Sequence, residues 1–146
     1  MEISQQLAVL AAIGFFALGL LGGIWKYAAI RRSPSAQAPA YVDIFHRTTL
    51  LYAFACALLE RMVELGDLPI WLEVCALAGL IGFFAFAVFG YALHGWLNDT
   101  DNQLRRPYRL GTGTVSPTIV HGSMAALIIA ELGGFVLLAF GVVRAL

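Results

Sequence analysis

The stretch HGWLNDTDNQLRRPYRLGTGTVSPTIVH, residues 94–121, decides how the chain is read. It is the longest polar run in 146 residues, a histidine marks each end, and the segments on both sides are apolar and long enough to cross a hydrocarbon core. It is therefore a hydrophilic connection between two membrane helices, and its histidines fall where those helices enter the bilayer.

Working outward, composition agrees. The chain is 60% hydrophobic and 12% charged with mean hydropathy +0.82, outside the range of soluble domains. Net charge is zero, so nothing in the charge balance points to nucleic acid. Cys56 and Cys75 lie inside apolar runs and read as small packing residues. The first apolar run follows an N-terminus without basic residues and shows no small-residue cleavage pattern, so it is expected to be a retained helix.

Four spans are expected, at about 7–30, 41–65, 70–96 and 117–143, forming an all-α integral membrane bundle. The chain makes one domain over 1–146, with a polar cytoplasmic connection at 97–116. Arg31, Arg32, Ser33, Pro34 and Pro39 break the chain between the first two spans. Gly66, Asp67 and Pro69 form a tight turn that makes spans two and three a hairpin. Ser116 and Pro117 read as N-cap and first helical residue of the fourth span. Gly19 and Gly23 have GxxxG spacing, which lets a neighbouring helix approach closely.

Lys26, Arg31, Arg32, Arg47, Arg105, Arg106 and Arg109 flank or occupy the first and third connections, against Arg61 and Arg144 on the other side. The positive-inside rule then places both termini on the non-cytoplasmic side, in a bacterial inner (cytoplasmic) membrane if the source is prokaryotic. Membrane lipids, and either other membrane subunits or self-association, are the expected partners. Arg105, Arg106 and Arg109 are expected at lipid headgroups or a phosphate-bearing ligand.

With that topology His46, His94 and His121 share one end of the bundle. Seven-residue and 3-4 spacing gives three stripes: His46, Thr49, Ala53, Cys56 and Glu60; Glu73, Leu80, Ala87 and His94; His121, Met124, Ile128, Glu131 and Phe135. Each stripe pairs a histidine with a glutamate, and polar stripes belong inside the bundle.

Imidazoles from two facing helices suit the axial positions of a b-type haem. Asp43, His46, His94 and His121 together would suit a divalent metal. Glu131, Glu60, Glu73 and the histidines could instead relay protons or cations, with a structural ion pair between Arg61 and Glu131 as the alternative to a relay role for Glu131. A structural or assembly subunit without a cofactor of its own is the reading from another class, with the histidines as interfacial side chains. The Asp and Asn residues of 98–103 lack the glycine and closing glutamate of a calcium loop, and Gly111–Thr114 is a hinge with no phosphate-binding pattern. The leading expectation is a small redox-associated membrane subunit.

Overall fold

Four long helices follow one another in the computed structural model, which describes residues 1–146: α1 Ile3–Arg32, α2 Ala40–Leu65, α3 Ile70–Leu97 and α4 Pro117–Ala145. Each begins and ends within four residues of the expected span. All four are long and apolar enough to cross a bilayer, and the chain is an integral membrane bundle. Local chemistry sets the ends. Ser116 accepts a hydrogen bond from the Thr118 amide ahead of Pro117, and Asn98 closes α3 in the left-handed conformation.

The helices alternate in direction. Ser4 near the start of α1 meets Glu73 near the start of α3, while Gly23 late in α1 meets His46 early in α2. Gly95 late in α3 lies against Tyr41 and Val42 of α2, and Gly134 of α4 packs on Ala76 and Leu80 of α3. Both termini and the 66–69 turn therefore share one end, with residues 33–39 and 98–116 at the other.

The GxxxG pair of α1 acts within this chain. A Cβ at Gly19 would meet Leu50 and Thr49, and one at Gly23 would meet the His46 ring at 3.0 Å, so only glycine admits α2 at this distance. Phe15, Tyr52 and Phe84 tie α1, α2 and α3 at mid-height, with Tyr52 stacked on Phe84 at 4.0 Å.

α4 stands apart. Only Leu138 and Gly141 of its residues are fully buried, both in its second half. The Arg144 guanidinium bonds the Asp67 carboxylate at 2.9 Å, and Leu68 fills the space over Gly141. Toward its first turn α4 leaves α3, and residues 98–116 fold across the opening. There the hinge expected at 111–114 is a β-hairpin: β1 Arg109–Leu110 pairs antiparallel with β2 Gly113–Thr114, and Gly111 supplies the positive φ that the two-residue turn needs.

Candidate functional site

The three histidines do lie at one end, but they are not brought together. His46 turns toward α1, its Nδ1 2.8 Å from the Gly19 carbonyl oxygen. His94 Nδ1 bonds Asp99 at 2.8 Å, and the His121 Nε2 takes the Tyr108 hydroxyl at 3.0 Å. Asp43 is held by Lys26 and Arg47. No group of three or more His, Cys, Asp or Glu side chains is close enough to hold a metal ion, so the set Asp43, His46, His94 and His121 is not assembled. The cause is helix rotation: the small stripe of α2 packs on the glycines of α1, and His46 follows that stripe away from α3 and α4.

The expected stripes of α2 and α3 do face inward. Thr49, Ala53 and Cys56 are buried, as are Glu73, Leu80, Ala87 and His94. The α4 stripe is corrected. His121, Ile128 and Phe135 are exposed, and the inward side runs through Leu127, Glu131, Gly134, Leu138 and Gly141. α4 is apolar all round, so its sequence offers no contrast between faces. Arg61 also does not reach Glu131; it pairs with Glu64. Glu73 donates nothing outward but accepts from the Ser4 hydroxyl at 2.8 Å, both side chains buried, while Glu60 is half-buried.

What the fold does build is a cleft of about 250 Å³ between the loop-end halves of α3 and α4. At about 30 Å³ per water this is room for several molecules, too large for a packing defect. Ala87 and Gly90 form one wall, Val120 and Leu127 the other, and Leu104 and Leu110 of the connection the roof. Most polar groups gather at the roofed end, His94, Gln103, Tyr108 and Arg109; Tyr91 and Ser123 add a hydroxyl each from the α3 and α4 walls, that of Ser123 donated to the Val120 carbonyl.

The roof is held by specific bonds. The Asp99 carboxylate, its side chain 5% exposed, accepts from His94 Nδ1 on one oxygen and from the Gly111 amide on the other. Burial raises the Asp99 pKa, but the bonds from His94 and Gly111 outweigh it and hold the carboxyl below its ordinary 3.8. Bonding to the Asp99 carboxylate puts a proton on His94 Nδ1, and in a neutral imidazole held this way Nε2 is the acceptor. The Tyr41 hydroxyl accepts from the Gln103 amide at 2.6 Å, and Tyr41 lies tilted over the His94 ring at 5.0 Å.

Of the three arginines expected at headgroups, Arg105 pairs with Asp101 and Arg106 bonds the Tyr108 hydroxyl. Arg109 makes no ion pair and lines the cleft. Sequence reasoning missed Tyr108, which is buried beneath Arg106. A single aromatic inside a polar connection, directly after Pro107, was the signal for it.

The fold and this site define a polytopic four-helix membrane protein with a roofed cleft at one end. Comparison with known protein families, with curated proteins and with solved structures finds no match to any of them.

Proposed function

We propose that the chain is a small membrane subunit that holds an apolar-tailed ligand in the cleft between α3 and α4, with the ligand's polar head at His94, Gln103, Tyr108 and Arg109. The observation that carries this is the distribution of chemistry along the cleft: walls that are mostly hydrocarbon, and a cluster of hydrogen-bonding groups at the roofed end. A membrane-soluble molecule has that same polarity. The basic residues around the roofed end support placing it in the cytoplasm, with both termini outside.

Gly90 lines the cleft, and a Cβ there meets nothing within 4 Å, so Gly90→Leu fills the cleft without displacing a helix. Gly122 is equally open but outside it, and Gly122→Leu is the control. After purification in mild detergent, organic extraction and mass spectrometry should find an apolar-tailed species retained by the parent chain and by Gly122→Leu and lost from Gly90→Leu. Equal retention in all three, or none in any, overturns the reading.

The haem reading makes a separate demand. His94 with His46 or His121 would have to leave the bonds described above and face one another across a ring. A Soret band abolished by replacing such a pair would establish it in place of the cleft ligand. One observation favours an assembly role alongside ligand binding: Gly122 and Gly133 of the sparsely packed α4 face open space, where another membrane helix can approach. Isolation at fixed stoichiometry with a larger complex tests that role.

A further inference from the structure

Glu131 stands at the apex of the wedge between α3 and α4. It lies fourteen residues after Pro117 in a helix of 29 residues, about 21 Å along it and so near the middle of the span. Its Oε1 is sealed from solvent and has no hydrogen-bond partner, and no cation reaches the side chain. The ionisable groups within its electrostatic reach are two phenols, Tyr52 on α2 and Tyr91 on α3. A lone carboxylate with no counter-ion in hydrocarbon is costly, whereas a protonated carboxyl there is tolerated.

The surroundings are not symmetric. Immediately toward the termini, Gly134 is pressed against Leu80 and the Ala76 carbonyl, so closely that a Cβ would lie 2.9 to 3.0 Å from both. This contact closes the wedge. Toward the roofed end, Leu127 is one turn away and already lines the cleft, as does Tyr91. Tyr91 stacks on Tyr41 at 5.9 Å, and Tyr41 lies over His94, whose Nδ1 bonds Asp99. Tyr91 thus stands between Glu131 and the roofed end, whereas toward the termini the Gly134 contact separates Glu131 from the buried pair of Ser4 and Glu73.

We infer that Glu131 is a proton-binding site with one-sided access, exchanging its proton with the roofed end through the cleft and Tyr91, and not with the end that carries the termini. The ligand of this site is a proton. The inference rests on the same cleft as the proposed function but not on what occupies it, and a preparation holding no ligand leaves its test intact.

Infrared difference spectroscopy of the reconstituted protein reads a protonated carboxyl directly. At neutral pH a carboxylic C=O stretch is expected, absent from Glu131→Gln, and it should shift in D2O as the proton exchanges. Filling the cleft with Gly90→Leu, or removing the hydroxyl with Tyr91→Phe, should slow that shift about tenfold or more, while Gly122→Leu leaves it unchanged. The inference is overturned if no such band is present, if Glu131→Gln retains it, or if exchange is equally fast in Gly90→Leu and Tyr91→Phe. Should Glu131→Gln fail to fold, a hydrophobic carbodiimide decides the same point on the parent chain. It reacts with protonated carboxyls in apolar surroundings, and peptide mapping should place the adduct on Glu131; an unmodified Glu131 refutes the proton site.

Discussion

Asp99 is the side chain on which the roof of the cleft depends, and two substitutions there separate its bonds. Asp99→Ala removes both acceptors and strands the Gly111 amide and the His94 Nδ1 proton in a place where the carboxylate had been 5% exposed. A buried donor left without a partner costs about 1–3 kcal/mol. Two of them, at a loop edge where water can enter, should cost about 2–4 kcal/mol of local opening free energy. Asp99→Asn differs in kind. Its carbonyl can still accept from Gly111, whose proton is fixed, and its NH2 can face His94 once the imidazole moves its proton to Nε2. Only charge assistance is lost, about 1 kcal/mol. Amide hydrogen exchange of residues 98–116 in nanodiscs reads these values, because each 1.4 kcal/mol is a factor of ten. Asp99→Ala should accelerate exchange at Gly111 by roughly 30-fold or more, Asp99→Asn by about fivefold. The pH sign follows from the depressed pKa: the stabilisation is fully present above 3.8 and is lost as pH falls through the lower folded value. Equal exchange in the parent chain and Asp99→Ala would refute the clamp, and Asp99→Asn as damaging as Asp99→Ala would refute the tautomer argument.

Other expectations concern packing and pairing. Gly95→Ala would bring a Cβ to 2.9 Å from the Trp25 ring and 3.2 Å from the Val42 amide, so thermal unfolding in detergent should show a loss of about 1–3 kcal/mol. Gly122→Ala meets nothing and should gain up to about 1 kcal/mol from helix propensity in the same assay. Ser4→Ala leaves the buried Glu73 without its 2.8 Å donor and should cost about 1–3 kcal/mol. Arg61→Ala, breaking only an exposed pair with Glu64, should change stability by less than about 0.5 kcal/mol and leave the Glu131 carboxyl band in place.

Which parts of this molecule are legible in its sequence follows from how local their causes are. Span lengths, the 66–69 turn and the Ser116–Pro117 start depend on residues adjacent in the chain, and all were read correctly. The inward face of α2 was also legible, since Thr49, Ala53 and Cys56 contrast with larger neighbours. The face of α4 was not, because rotation of an evenly apolar helix is decided by its partners: Leu80 over Gly134 and Leu68 over Gly141. The histidines show both cases. Their shared end follows from topology, whereas the partner of each depends on glycines 19 and 23 of another helix, on Asp99, and on Tyr108 folding back under the connection. The polar connection, in which no calcium or phosphate-binding pattern is present, supplies the roof and three polar groups of the cleft, Gln103, Tyr108 and Arg109.

The wedge also depends on its solvent. In water the apolar walls of α3 and α4 would be driven together, but in a bilayer lipid tails are as apolar as the walls, and no such force closes the gap. α4 is held at its far end by Arg144 and Asp67 and at its near end by the bond between Tyr108 and His121. Between these attachments its separation from α3 is set by side-chain volume alone, and an occupant must displace lipid tails that fit the hydrocarbon wall equally well. Selectivity therefore cannot come from the wall. It has to come from the roofed end, where His94, Gln103, Tyr108 and Arg109 offer hydrogen bonds that an acyl chain cannot accept. Asp99→Asn, by reversing the donor and acceptor nitrogens of His94 while keeping the roof closed, should accordingly alter which ligand is retained without emptying the cleft. Asp99→Ala should empty it; an unchanged ligand in both variants would mean that the head does not lie against His94.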